Sequence, residues 1–166
     1  MPSTDSGTPD IAAADQVQPS SLPRLTQSGS GPAGAVAAFY DALIAQDAQR
    51  AIALLSTDAA WYEAPGSPYG REDGGPYRGG SEVARHVLAP QAADVNGLQL
   101  AQHEMLVYGG TIIVLGTAHG RGARTGATLA LPFAHVWVLD GTTIREFRQY
   151  IDTDAFRDAV GKPVSR

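Results

Sequence analysis

The stretch Phe133–Asp152, FAHVWVLDGTTIREFRQYID, predicts a β-hairpin that presents large side chains on one surface. Alternate residues of a strand share a face, so Phe133, His135 and Trp137 are expected to stand together. The next residues, Asp140-Gly141, form a turn pair of the kind that joins antiparallel strands. The first strand of this hairpin therefore predicts a wall of large side chains around a histidine.

The returning strand of the hairpin is predicted over residues 143–151. By the same alternation, Phe147 and Gln149 share one of its faces. We expect this face and the one that carries His135 to line a pocket.

Length and composition limit the classes of protein that fit. The 166 residues suit one domain with a sizeable core. Cysteine is absent, which excludes structural disulfides, thiolate catalysis and cysteine-bound zinc. Seventeen acidic against twelve basic side chains argue against a nucleic-acid partner. No run of apolar residues is long enough to span a membrane, so a soluble cytoplasmic protein is expected.

The first thirty residues differ in composition from the rest of the chain. They are rich in Ser, Pro, Asp, Gly and Ala, with only scattered large apolar residues. Such a segment cannot bury enough surface to offset the entropy lost on ordering. We therefore predict a disordered tail over residues 1–30 and one folded domain over residues 31–162.

Within the domain, hydrophobic periodicity predicts helices followed by long strands. Apolar residues at spacings of three and four after Pro32 indicate an amphipathic helix, and Asp47 is expected to cap a second helix through Leu55. The further predictions are a strand over 58–63, a Gly/Pro-rich loop over 64–80, a helix from Ser81 to about Ala92, strands over 98–108, 111–119, 127–139 and 143–151, and a helix over 154–160. This order predicts an α+β domain in which helices cover one face of an antiparallel sheet.

Glu63 is the first candidate for chemistry. It shares a strand face with Trp61 and precedes Ala64, so burial would raise the pKa of its carboxyl. A carboxylate with a raised pKa is a good proton shuttle. The alternative is that Glu63 lies at the strand end, solvated or paired with Arg71 or Arg78.

His135 is the second candidate. It lies between Ala134 and Val136 in a predicted central strand, where a neutral imidazole could donate a hydrogen bond to a ligand oxygen or accept one from it. A satisfied core histidine is the alternative. Trp61, Trp137 and Phe147 could form aromatic walls of the same pocket, or simply belong to the core.

The remaining histidines do not predict a metal site. No pair among His86, His103 and His119 has the helical i, i+4 spacing of a zinc site. The glycines match no phosphate-binding loop between a strand and a helix. We therefore expect neither a metal nor another cofactor.

Three segments and their order carry a resemblance to a known family. They are FYDALIAQD with the following ALLSTDAAWYEAPG, then YRGGSEVARHVL, and finally FAHVWVLDGTTIREFRQYIDT. Together they resemble the SnoaL-like, ketosteroid isomerase-related proteins of the nuclear transport factor-like superfamily. The resemblance implies a cone-shaped, curved antiparallel sheet wrapped on N-terminal helices, the cystatin-like α+β barrel.

The resemblance also implies roles for single residues. Glu63 matches the catalytic base of the isomerase, and His135 falls where that enzyme has an acid in its oxyanion hole and resembles the histidine of SnoaL-type cyclases. Phe39 falls at the isomerase's hydrogen-bonding tyrosine, and Tyr40 is the next residue. Gln149 falls where the cyclases and limonene epoxide hydrolases carry an aspartate. Phe39, Tyr40 and Gln149 are thus expected to bind ligand, although the residue types at Phe39 and Gln149 depart from the family pattern.

These observations favour a cofactor-independent acid/base enzyme of the isomerase, cyclase or hydratase/hydrolase type, acting on an apolar, oxygen-bearing small molecule. Glu63 and His135 are its predicted catalytic residues. The alternative is a non-catalytic ligand-binding or dimerisation module of the same fold. A homodimer through the outer sheet face is also expected, because Val136 and Val138 would otherwise leave an apolar strip uncovered.

Overall fold

The computed structural model describes residues 29–162. The predicted tail lies outside these residues, apart from its last two positions, and so does the end of the chain after Lys162. No helix within the described range is long and apolar enough to cross a membrane.

Two helices open the described chain. Helix α1 (Pro32–Ile44) has its proline in the first turn, where a missing amide hydrogen costs nothing, and buries Val36, Phe39 and Tyr40. Helix α2 (Ala48–Ile52) is capped by Asp47, as predicted. It ends before the predicted Leu55, because that residue already begins the first strand.

The first two strands are antiparallel neighbours. Strand β1 (Leu55–Tyr62) begins three residues earlier than predicted, and Glu63 follows directly after its end. Strand β2 (Tyr77–Arg78) is a short edge strand within the segment predicted to be a loop, and it pairs with Ala60 and Trp61.

The third helical region begins two residues before the predicted Ser81 and contains an irregular turn. It consists of α3 (Gly79–Val83), a π-helical turn (Ala84–Leu88) and α4 (Ala89–Asp94). The Ala89 amide donates to the carbonyl oxygen of Ala84, five residues back. Pro90 is the next residue. In a regular α-helix its ring would clash with the carbonyl group four residues earlier, and the widened turn avoids this clash.

Four long strands form the antiparallel meander predicted from the sequence. They are β3 (Val95–Tyr108), β4 (Thr111–Gly122), β5 (Thr128–Asp140) and β6 (Thr143–Ile151). Gly141 takes a positive φ of 58° in the turn between β5 and β6. Helix α5 (Thr153–Val160) then closes the domain, and the Asp152 side chain accepts a hydrogen bond from the Ala155 amide at its start.

The six strands form one curved, unclosed sheet in the order β2-β1-β6-β5-β4-β3. The predicted α+β class is confirmed. The sheet differs from a wholly antiparallel one, because β1 runs parallel to β6, with Trp61 beside Phe147 and Tyr62 beside Arg148. It also has two free edges, β2 and β3, and is therefore not a closed barrel.

The hairpin of β5 and β6 has the face assignment predicted from alternation. Phe133, His135 and Trp137 are buried on the concave face, while Val136 and Val138 on the other face are half-buried. Helix α1 contacts β3, β5 and β6. Its buried side chains and those of β5 together form the core in which the candidate site lies.

Candidate functional site

One cavity is lined by all the residues that were predicted from the sequence to be catalytic or to bind ligand. It lies between α1, the π-helical turn and the concave face of the sheet. Its lining includes the eight predicted residues Phe39, Tyr40, Trp61, Glu63, His135, Trp137, Phe147 and Gln149, together with Leu43, Val87, Leu88, Gln91 and Leu100. The cavity volume is about 30 Å³, which is room for about one water molecule.

The Glu63 carboxylate accepts hydrogen bonds from three side chains. Trp61 Nε1 donates to Oε1 at 2.8 Å, while Ser67 Oγ and Gln149 Nε2 donate to Oε2 at 3.0 and 3.2 Å. None of the three donors carries a charge, so they hold the carboxylate in place without an ion pair.

The arginines considered as partners of Glu63 lie elsewhere. Arg71 forms an exposed ion pair with Asp73 at 2.8 Å. Arg78 is exposed, and its guanidinium contacts the carbonyl oxygen of Asp58. Of the alternatives stated for Glu63, pairing with either arginine is not observed.

Burial raises the pKa of Glu63 above its ordinary value. The loss of hydration disfavours the charged form, and the hydrogen bonds from Trp61 and Ser67 oppose that effect without cancelling it. The direction is the one predicted from the sequence. A carboxyl group in this state can take up and release a proton nearer to neutrality than an exposed one.

His135 is held from its Nδ1 side. The Tyr40 hydroxyl lies 2.7 Å from His135 Nδ1, and it accepts a hydrogen bond from Trp137 Nε1 at 3.2 Å. Phe133 stacks against the imidazole with ring centroids 4.0 Å apart. The imidazole is therefore fixed both in its plane and across its face.

Burial lowers the pKa of His135 to about 3, and a hydrogen bond with Gln149 opposes the shift. Gln149 faces His135 across the β5–β6 ladder. The imidazole is neutral at physiological pH, because the desolvated interior disfavours its cationic form. Burial also raises the pKa of Tyr40, so its hydroxyl keeps its proton.

Aromatic rings form the rest of the wall. Trp61 stacks on Phe147 with centroids 3.8 Å apart, and Phe39 packs against both tryptophans. The close mutual packing of these rings leaves little free space between them. They are core and cavity wall at once, so the two alternatives stated for them describe the same packing.

Ser67, which donates a hydrogen bond to the Glu63 carboxylate, was not predicted from the sequence. Ser67 is buried in a tight turn in which its amide donates to the carbonyl oxygen of Ala64. Its hydroxyl accepts a hydrogen bond from the Tyr69 amide at 3.2 Å while it donates to Glu63. The Pro/Gly pattern marked the segment as a loop, but only the folded turn reveals this contact.

The same loop is anchored at Tyr69. Its ring is buried against Phe156, and its hydroxyl donates to Asp94 at 3.0 Å. The part of the loop next to Glu63 is thus packed onto the domain.

The other polar residues of the hairpin lie outside the cavity. Tyr150 is exposed on the outer sheet face, and Asp152 caps α5. Within residues 29–162, no group of three or more His, Asp or Glu side chains is placed to hold a metal ion. The chemistry that the cavity itself offers is proton transfer by Glu63 next to a neutral imidazole.

Comparisons with known proteins agree with this architecture. Residues 36–147 match the model of the SnoaL-like domain family. An NTF2-like protein from Burkholderia thailandensis E264 is 29% identical, with a TM-score of 0.71 over 78% of this chain and 96% of that one. No curated protein sequence matches the chain.

Two more distant solved structures share the fold. TerC, co-crystallised with polyporic acid, is 23% identical with a TM-score of 0.69, over 78% of this chain and 98% of that one. IdmH from Streptomyces antibioticus, described provisionally as a polyketide cyclase, is 16% identical with a TM-score of 0.67 over the same shares. Because the family model covers more than half of the sequence, the chain belongs to the SnoaL-like domain family.

Proposed function

We propose that this protein is a cofactor-independent acid/base catalyst acting on an apolar small molecule that carries a carbonyl or hydroxyl oxygen. The observation that carries the proposal is the cavity that the Glu63 carboxylate and the His135 imidazole share, with Gln149 bonded to the carboxylate and facing His135 across the ladder. Glu63 acts as the base that removes a proton from carbon. His135 donates a hydrogen bond to the substrate oxygen.

The electrostatics of the two groups support these roles. The raised pKa of Glu63 favours proton uptake from a weakly acidic carbon. A neutral donor aimed at the oxygen stabilises negative charge as it develops there. This pair serves isomerisation and cyclisation, which share an enolate-like intermediate, and it serves hydration when the carboxylate activates water.

The ligand class follows from the walls. Five of the cavity residues are aromatic, and the polar atoms of the cavity are few. The similarity to TerC, which was co-crystallised with polyporic acid, and to a provisionally described polyketide cyclase supports a flat, oxygen-bearing ring as ligand.

A ligand of that size requires side chains at the cavity wall to move. The volume of about 30 Å³ accommodates water only. Val87 and Leu88 belong to the π-helical turn, a distortion that occurs frequently at functional sites. Together with Leu43 and Leu100, they are the aliphatic wall residues whose rotamers we propose change on binding.

The small volume also favours a second candidate function, a non-catalytic module of the same fold. Such a protein keeps the polar cluster as a structural network and performs no proton transfer. Native mass spectrometry of the purified protein shows whether a small molecule is bound. A co-purifying small molecule would support a ligand-binding cavity, and a turnover assay then tests whether the protein is a catalyst.

The turnover test uses 2-tetralone, a flat ketone with acidic hydrogens next to its carbonyl group. In heavy water, the protein should accelerate deuterium incorporation at those positions, as followed by proton NMR. Glu63→Gln should remove the acceleration, while the charge-removing control Glu72→Gln, on the exposed loop, should leave it unchanged. No acceleration by the wild-type protein at ligand saturation would contradict the proposal for this ligand class.

Binding is measured independently by fluorescence. The chain has two tryptophans, and both line the cavity. Ligand entry should therefore change the intrinsic emission of the wild-type protein and of Glu63→Gln alike. A variant that binds without turning over identifies Glu63 as a base rather than a structural residue.

We also propose that the protein forms a homodimer through the outer face of the sheet. On that face, Leu106, Ile113 and Val136 are neighbours by strand register, and Val138 follows along β5. The row is only partly covered, and Leu106 is 40% exposed. A second copy of the same face would bury it.

A further inference from the structure

A series of polar side chains runs from the core of the domain to Glu63. Trp137 donates a hydrogen bond to the Tyr40 hydroxyl, which is bonded to His135, and Gln149, which faces His135 across the β5–β6 ladder, donates to the carboxylate. We refer to these five residues as the polar relay. It connects α1, β5 and β6 with the residue that follows β1.

The direction of the relay follows from which atoms are able to donate. Indole Nε1 is a donor only, so the Tyr40 oxygen accepts from Trp137. The Tyr40 proton is then free for one acceptor, and His135 Nδ1 at 2.7 Å is the atom in reach. If Nδ1 itself carried the proton, the Tyr40 hydroxyl would accept twice and its own proton would have no partner.

The other end of the relay has the same polarity. A carboxylate only accepts, so the Gln149 amide turns its Nε2 toward Glu63. Its carbonyl oxygen is then turned away from the carboxylate, and the residue that Gln149 faces across the ladder is His135. The donors at both ends of the relay thus point from Trp137 toward Glu63. Among the fully buried side-chain polar atoms of residues 29–162, Ser56 Oγ alone lacks a partner.

We propose that Tyr40 is a positioning residue that fixes His135 as the tautomer protonated on Nε2, so that the imidazole presents a donor, and never an acceptor, to the cavity. The tautomer is independent of any reaction, whereas its use on a substrate oxygen rests on the proposed function. In this arrangement, Glu63 is the only proton acceptor among the titratable cavity side chains. The site therefore takes ligands whose oxygen accepts a hydrogen bond while a neighbouring carbon gives up a proton.

The test measures the tautomer directly. The other three histidines, His86, His103 and His119, are exposed, so changing them to Gln should yield a folded protein with His135 as its single histidine. Nitrogen-15 NMR of this protein should show Nε2 protonated and Nδ1 unprotonated at neutral pH. Protonated Nδ1, or both nitrogens protonated, would overturn the proposal.

The role of Tyr40 is tested in the same single-histidine protein. Tyr40→Phe removes the hydroxyl, so the Nδ1 resonance should shift away from its wild-type position. The control Tyr62→Phe, on the outer face beside Arg148, should leave that resonance unchanged. An unchanged Nδ1 resonance in folded Tyr40→Phe would show that Tyr40 does not position the ring.

If Tyr40→Phe does not fold, Trp137→Phe provides the second measurement. It removes the donor that assigns the Tyr40 proton to His135, so an Nδ1-protonated fraction of the imidazole should appear that the wild type lacks. A tautomer unchanged in folded Trp137→Phe would contradict the assigned direction of the relay. An Nε2-protonated His135 together with full deuterium exchange by Glu63→Gln would refute the proposed function alone and leave this inference standing.

Discussion

Gln149 Nε2 lies 3.2 Å from Glu63 Oε2, and the same glutamine faces His135 across the β5–β6 ladder. One neutral side chain therefore bonds to the proposed base and comes from the residue that faces His135. A cationic residue in its place would pair with Glu63 and lower the pKa of that carboxyl. The amide instead orients the carboxylate and leaves its basicity to be set by burial and by the other donors.

Ser67→Ala should raise the pKa of Glu63 further. The hydroxyl donates to the carboxylate and favours its charged form, so its removal shifts the balance toward the protonated acid. The fraction of carboxylate at a given pH falls, and the acidic limb of the exchange rate should move to higher pH. Carbon-13 NMR of the Glu63 carboxyl measures the pKa without a substrate.

Ser56→Ala is the matched control, because the Ser56 hydroxyl is buried without a partner. Ser56→Ala should leave the pKa of the Glu63 carboxyl at its wild-type value. A Ser67→Ala titration that coincides with the wild-type curve would show that Ser67 holds the turn and not the carboxylate.

His135 should make the free energy of unfolding depend on pH in the acidic range. Its pKa is lowered to about 3 in the folded state from its ordinary value of 6.5, so between these values the unfolded chain binds a proton that the folded chain does not. The free energy of unfolding should therefore fall as pH drops from 6.5 toward 3, by at most about 1.4 kcal/mol per pH unit. Above pH 6.5 the contribution is complete.

Urea unfolding of the wild type and of His135→Gln at several pH values isolates this contribution. Glu63 is the other buried titratable group near Gln149, and its raised pKa makes the folded state more stable as pH falls, opposite to His135. The quantity to compare is therefore the difference in unfolding free energy between the wild type and His135→Gln at each pH. The variant should lose less stability below pH 6.5. Equal pH dependence in both proteins would contradict a neutral, buried His135.

Gly116→Ala should destabilise the fold and disturb the imidazole. A Cβ at this position would lie 2.5 Å from the Phe133 ring and would also clash with the carbonyl oxygen of Ala101. Overpacking of this kind costs about 1 to 3 kcal/mol. Phe133 stacks on His135 at 4.0 Å, so its displacement should also shift the His135 ring resonances.

The double variant Gly116→Ala/Phe133→Leu tests that reason for the loss. The smaller leucine side chain removes the clash with the Phe133 ring. The double variant should therefore lose less stability than the sum of the losses in the two single variants. Strictly additive losses in thermal unfolding would show that the ring contact is not the cause.

Several parts of the fold were predictable because their signals are local. Alternation in the β5–β6 hairpin predicted the shared face of Phe133, His135 and Trp137, and the limits of β6 were correct. The parallel pairing of β1 with β6 has no local signal, since it joins segments far apart in the chain. The π-helical turn was missed because a proline within a helical pattern predicts a break or kink rather than a specific widened turn.

The site was only partly predictable for a related reason. Residue type and strand face made Glu63 and His135 candidates, and the structure places both at one cavity. The donor at Ser67 depends on a folded turn, and the Tyr40–His135 contact depends on how α1 packs on the sheet. The cavity volume depends on the rotamers of many side chains, which no sequence pattern specifies.

The proposed homodimer predicts that a charge on the outer face separates the protomers. Val136→Glu should convert a dimer to a monomer, because burying an unpaired carboxylate in an apolar interface is costly. Light scattering over a concentration series measures the mass. The matched change Ala130→Glu, at an exposed position near the start of the same strand, should leave the mass unchanged. A wild-type protein that remains monomeric throughout the series would refute the dimer.

Glu63 is proposed to act as a base in the cavity that it shares with His135. The most direct test compares deuterium incorporation into 2-tetralone by the wild type and by Glu63→Gln, with ligand saturation confirmed by tryptophan fluorescence. A positioned base contributes on the order of 10² to 10⁴-fold, so the rate should fall by that factor while binding is retained. Wild-type exchange that Glu63→Gln leaves unchanged at the same saturation would contradict the claim.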